Sequence, residues 1–111
     1  MKRTTFMIMI RLDDINTLQE VIAEEYDENV YYVSPRTNKD FRYNYSFYDK
    51  KTGLMVCTGK NKKELINKYN EVKDRYKNLF GGVLYKKYIE RYEQLKRDEQ
   101  LIKEVNVWVI N

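Results

Sequence analysis

The sequence predicts an α+β protein: a three-stranded antiparallel sheet, open to extension by strands at the N- and C-termini, packed on helices in an α-β-β-β-α core with an appended C-terminal helix. Three observations carry this. Residues 41–48 alternate Phe41, Tyr43, Tyr45 and Phe47 with Arg42, Asn44, Ser46 and Tyr48, the period of two expected of a strand with one covered face. After Asn61, the residues Leu65, Tyr69, Val72, Tyr76 and Leu79 alternate spacings of four and three, the signature of an amphipathic helix. Between them, Asp49 to Gly53 has hairpin chemistry, with Gly53 suited to a positive φ.

In chain order, Thr4 to Leu12 is β-rich and apolar nearly throughout, as in a strand covered on both faces. Asp13 or Asp14 offers an N-cap, and Ile15, Leu18, Val21 and Ile22 repeat at helical spacing up to Tyr26, which predicts a helix with Glu20, Glu24 and Glu25 on its exposed side. Val30 to Val33 is a short strand stopped by Ser34-Pro35, since proline lacks the N–H a central strand donates. The strand at residues 41–48, the hairpin and a returning strand from Leu54 to Thr58 follow. Gly81-Gly82 breaks the helix that Asn61 begins, and a last helix runs from about Leu84 to Lys103. Val105, Val107 and Val109 alternate with Asn106, Trp108 and Ile110, predicting a terminal strand that pairs with Thr4 to Leu12. The whole reads as a single domain over residues 1–111, with its core at 14–75 and the appended helix at 84–104.

Composition narrows the function. The chain has 21 Lys+Arg against 17 Asp+Glu, a net of +4, so it favours an acidic partner only mildly. The distribution is uneven: residues 12–35 hold Asp13, Asp14, Glu20, Glu24, Glu25, Asp27 and Glu28 with no Lys or Arg, while basic residues outnumber acids from 60 to 104. Histidine is absent and Cys57 is the one cysteine, which removes disulfides, the usual zinc sites and histidine-dependent nucleophilic catalysis. No metal or cofactor is implied, and an enzyme is not expected. The apolar run Phe6 to Ile10 is too short for a membrane span, so a soluble, cytoplasmic protein is the expectation. Tyrosine, eleven residues, suits both core edges and binding faces.

The charged stretch that draws most attention is Gly59-Lys60-Asn61-Lys62-Lys63 at the start of a helix. It reads either as a solvated helix end or as a phosphate site, where free backbone N–H groups and lysine charge act together.

The order helix, strand, strand, strand, helix resembles the double-stranded-RNA-binding domain, and three motifs over residues 14–75 strengthen the likeness. Leu18-Gln19-Glu20 looks like that family's Leu-Asn-Glu. Ser34-Pro35-Arg36-Thr37-Asn38-Lys39-Asp40-Phe41 is similar to its Gly-Pro-x-His-x-x-x-Phe. Gly59-Lys60-Asn61-Lys62-Lys63-Glu64-Leu65 resembles its Gly-x-Ser-Lys-Lys-x-Ala. The resemblance implies binding of double-stranded RNA or another nucleic acid, with Gln19, Glu20 and the loop Pro35, Arg36 and Thr37 in minor grooves and Lys60, Lys62 and Lys63 on phosphates. Thr37 stands where the family has histidine, Ile66 where it has a third lysine, and Leu65 where it has a small alanine. Looser likenesses of order alone lead to ribosome-hibernation factors and to integrase arm-binding domains, the latter with Arg42, Asn44, Ser46 and Tyr48 facing DNA.

An alternative is a small phage or mobile-element protein that binds and inhibits a host protein, such as a defence or CRISPR component. In that case Asp14, Glu20, Glu24, Glu25 and Glu28 would present an acidic surface in imitation of nucleic acid.

Overall fold

The segment from Ile15 to Glu25 carries two patterns at once. Its apolar residues repeat at helical spacing, yet it is rich in β-branched side chains and follows an apolar strand that needs a partner. The partner decides the outcome. A computed structural model describes residues 2–12, 15–38, 44–76 and 82–110, without the side chains of 11, 12, 82, 83 and 100–110. In it β1 (Arg3–Leu12) and β2 (Ile15–Glu25) pair antiparallel in an unbroken ladder from Arg3↔Glu24 to Leu12↔Ile15. The helix expected up to Tyr26 is therefore a strand, and the α-β-β-β-α order of the core is corrected to five strands followed by two helices among the described residues. The cost of overriding the helical pattern is visible on the surface, where Ile15 and Ile22 are 68% and 41% exposed.

The sheet continues through β3 (Val30–Val33), β4 (Tyr45–Asp49) and β5 (Met55–Gly59), antiparallel at every step and in the order β1-β2-β3-β4-β5. Phe41 to Tyr43, expected in the fourth strand, lie outside the described residues. Residues directly opposite one another share a face, so the register sorts the side chains into two sets. On the first face Ile8, Val21, Ala23, Val33 and Tyr48 form a buried cluster, with Phe6, Ile10 and Tyr31 against it. On the second face Val30, Tyr32 and Phe47 pack with Leu65 and Tyr69 of α1 (Lys62–Val72) and with Tyr76 beyond it.

The β4–β5 turn is held by Gly53 N–H to Asp49 O and Asp49 N–H to Leu54 O, at 2.9 and 2.8 Å. Gly53 adopts φ 68°. A Cβ there would also stand 2.6 Å from Cε1 of Tyr92 and 3.1 Å from Met7 O, so the position needs glycine on both counts.

The last helix, α2 (Gly82–Ile110), includes residues 105–110, which were expected as a strand pairing with β1. The outer edge of β1 is engaged elsewhere: Met9 N–H donates to Gly53 O at 2.8 Å, and Met7 O accepts the Tyr92 hydroxyl. No glycine or proline interrupts the chain between Lys103 and Ile110, and the helix runs on. Among the described residues no helix is long and apolar enough to cross a membrane.

Candidate functional site

Gly59 ends β5 and lets the chain turn at once into α1, because a Cβ on it would meet Leu65 N at 2.6 Å. Asn61, in extended conformation, caps the helix by accepting the Glu64 N–H at 2.8 Å on Oδ1. Glu64 folds back and accepts the Lys60 N–H on Oε2 at 2.7 Å. This is a reciprocal cap offset by one residue from the usual box, and the Asn61-x-x-Glu64 spacing was a signal for it. That hydrogen bond is the main reason the Glu64 carboxyl lies below its usual range, with Lys68, 3.4 Å away, adding to it. A carboxylate of the chain itself thus stands at the positive end of α1, the place that one of the two sequence readings gave to a phosphate. The lysine side chains remain exposed at Lys60, Lys62 and Lys63, and Nζ of Lys62 lies 4.9 Å from the centre of the Tyr32 ring.

The loop after β3 reaches the same tyrosine. Ser34 organises it, accepting the Arg36 N–H on its hydroxyl at 3.1 Å and the Thr37 N–H on its carbonyl at 3.2 Å. Asn38 ties it to β2: its Oδ1 accepts the Ile22 N–H at 2.7 Å and its Nδ2 donates to Ile22 O at 3.0 Å, copying a rung of the ladder that β3 no longer supplies. Burial raises the Tyr32 hydroxyl pKa, against a hydrogen bond with the Ser34 side chain, and Arg36 and Glu24 act on it through their charges. Its ring stacks on Tyr45 at 6.4 Å and 13°. Tyr32 therefore joins the lysine knuckle to the loop of Pro35, Arg36 and Thr37, with Arg36 exposed and the other two half-buried.

The remaining sequence-predicted residues do not gather there. Strand alternation divides the acids of β2, so that Glu20 and Glu24 share the second face while Gln19 and Glu25 lie on the first. Glu24 stands opposite Tyr32 and pairs with Arg3 at 3.6 Å, and Glu25 pairs with Lys50. Glu28 is exposed between β2 and β3, and Asp14 lies outside the described residues. The single acidic helical surface is corrected to a split set for the same reason that the helix is: the period is two.

Two carboxylates outside the expected binding sites, Asp27 and Asp49, hold the fold instead. Asp27 accepts the Asn29 and Val30 N–H groups at 2.8 and 2.9 Å and the Tyr69 hydroxyl at 2.6 Å. Burial pushes its pKa up, but these bonds, with Lys50, outweigh it and leave the carboxyl below its ordinary value. Asp49, buried, accepts the Thr52 N–H and hydroxyl, the Tyr76 hydroxyl at 2.7 Å and the Tyr85 hydroxyl at 3.0 and 3.2 Å. Burial raises the pKa of Tyr69, Tyr76, Tyr85 and Tyr92, and a carboxylate adds to it in each case, Asp27 for Tyr69 and Asp49 for the other three. Tyr69, Tyr76 and Tyr92 are thus structural, each ring buried while its hydroxyl is bonded to Asp27, Asp49 or Met7 O.

Cys57 is half-buried, and burial pushes its thiol up to about 11. Among the described residues no three His, Cys, Asp or Glu side chains stand together as a metal site would require.

The fold and site define an α+β chain whose five-stranded antiparallel sheet leads into a helix start with exposed Lys60, Lys62 and Lys63, Lys62 lying over the buried Tyr32 ring. No protein-family model matches it, and comparison with curated proteins and with solved structures finds no significant match.

Proposed function

We infer that the chain is a non-enzymatic binding module for nucleic acid, with Lys60, Lys62, Lys63 and Arg36 on phosphates and the Pro35–Thr37 loop beside them. The observation that supports it most is the run of exposed lysines at the start of α1, with the Lys62 ammonium 4.9 Å from the ring of Tyr32, the strand residue that leads into the loop carrying exposed Arg36. Exposed lysines and an arginine suit a phosphate backbone. The contact is made by side chains, since Asn61 and Glu64 occupy donors at the start of α1. Double-stranded RNA is the first ligand to test, on the strength of the loop and knuckle motifs.

Fluorescence anisotropy with an RNA duplex of about 20 base pairs, the matching DNA duplex and one single strand, at rising salt, checks this. Binding to at least one probe is expected, with log affinity falling about 0.9 per phosphate contact for a DNA duplex against log salt. Lys62→Ala with Lys63→Ala should weaken it about tenfold or more and flatten the slope by about 2. Absence of binding to all three probes at low salt, or an unchanged slope in the double variant, would sink the proposal.

Capture of a host protein through the β2 acids draws less support, because Glu24 and Glu25 already carry ion pairs with Arg3 and Lys50 and point to opposite faces.

A further inference from the structure

β1 is the first strand of the sheet and pairs on one side only, so alternate residues turn their N–H and C=O groups away from β2. The contacts of Met9 N–H with Gly53 and of Met7 O with Tyr92 identify them as the odd-numbered residues. The turn and Tyr92 cover this edge at Met7 and Met9. Further toward the N-terminus Arg3 and Thr5 are exposed, and Thr5 O accepts only a long contact, 3.4 Å, from the Thr4 hydroxyl among the described residues.

Beside this open stretch is a cavity of about 320 Å³, with Thr5 and Met7 forming one wall. Its other lining residues are Phe6, Tyr31 and Tyr92, the two lysines Lys50 and Lys96, and Glu20. The rings are contiguous, Phe6 lying 4.6 Å from Tyr31 and 6.3 Å from Tyr92 between centroids. Each lysine sits over one of them, Lys50 Nζ 5.0 Å from the Tyr31 ring and Lys96 Nζ 4.6 Å from that of Tyr92. Glu25 pairs with Lys50, which tempers one charge, and Glu20 is the acid in the lining. Arg3 is paired with Glu24 and Lys50 with Glu25, whereas Lys96 has no ion pair among the described residues and is the lysine that a carboxylate entering the cavity would meet.

We propose that this edge and cavity bind an extended segment of a partner protein, which adds as a sixth strand along Arg3 to Thr5 and lays one acidic side chain between Lys50 and Lys96. Strand addition needs three things: outward backbone groups to make the ladder, a pocket at the spacing of alternate side chains to select the sequence, and a charge to complement. All three adjoin here. The apolar rings take the methylenes of the acidic side chain while the ammonium groups take its carboxylate.

The probes are fluorescein-labelled, C-terminally amidated hexapeptides of threonine and valine with one glutamate placed at each position in turn, and a matched set carrying lysine instead. In fluorescence polarisation the glutamate set should bind at least about tenfold more tightly than the lysine set. Lys50→Ala with Lys96→Ala should erase that preference. Thr5→Pro, which removes an outward N–H and leaves the β1–β2 ladder intact, should weaken binding about tenfold or more. Should that variant fail to fold by circular dichroism, N-methylation of alternate peptide amides tests the same bonds from the other side. Equal binding of the two sets, binding of neither, or indifference to both Thr5→Pro and N-methylation would overturn the proposal. A dimer in light scattering that Thr5→Pro converts to a monomer would overturn it too, assigning the edge to a second copy of the chain.

Discussion

α1 and α2 are attached to the same sheet in different ways. α1 lies across β4 and β5 and buries Leu65 and Tyr69 among Val30, Tyr32 and Phe47, with Tyr69 4.8 Å from Phe47 between ring centres. The described part of α2 is mostly exposed and reaches the sheet through Tyr92, buried against Phe6 and bonded to Met7 O, and through Tyr85 on Asp49. One helix is held by apolar area, which is non-directional and spread over many atoms; the other is held at a few hydroxyl groups. The same residue type thus serves two purposes: in α1 tyrosine is core first, and in α2 it is a tether.

The apolar attachment of α1 rests most heavily on Leu65, which is fully buried. Leu65→Ala should destabilise the whole fold by about 2–5 kcal/mol, because the cavity falls at the junction of helix and sheet and cannot collapse fully. Denaturant unfolding followed by circular dichroism measures it, and a loss below about 1 kcal/mol would mean that burial is not what fixes α1. A smaller and more local effect is expected from Tyr92→Phe, which keeps the ring and orphans Met7 O at a cost of about 1–3 kcal/mol. Hydrogen exchange should then rise in α2 around Tyr92 and along the outer edge of β1 while α1 stays protected. Equal loss of protection in both helices would show that α2 is not separately tethered.

Which parts of this fold were legible follows from how local their causes are. The β4–β5 turn and the start of α1 depend on residues within a few positions of each other: Gly53 takes its positive φ because Asp49 and Leu54 close the turn around it, and Asn61 caps because Glu64 N–H is three residues on. Both were readable. β2 depends on β1, so its helical spacing of Ile15, Leu18, Val21 and Ile22 misled, and the valines of residues 105–110 misled in the opposite sense. The site divides similarly. The lysines and the Ser34–Thr37 turn are local motifs, whereas their meeting at Tyr32 requires the β2–β3–β4 register that places Glu24, Tyr32 and Phe47 in one row. No spacing within one segment encodes that.

Asp27 sharpens the contrast from the acid side, because it ties α1 to the β2–β3 connection through the Tyr69 hydroxyl, whereas Asp49 serves α2 through Tyr85. Its folded pKa lies below the ordinary aspartate value, so the charged form is favoured by folding. That contribution is complete above the unfolded pKa, near 3.8, and is lost as pH falls through the lower folded value. Asp27→Asn, which has no carboxylate to titrate, should therefore be less stable than the parent at pH 6, and the gap should narrow steadily below about pH 4. Urea unfolding at a series of pH values reads both arms. A gap that stays constant down to pH 2 would mean that the charge on Asp27 contributes nothing and that its hydrogen-bonding shape alone holds Tyr69 in place.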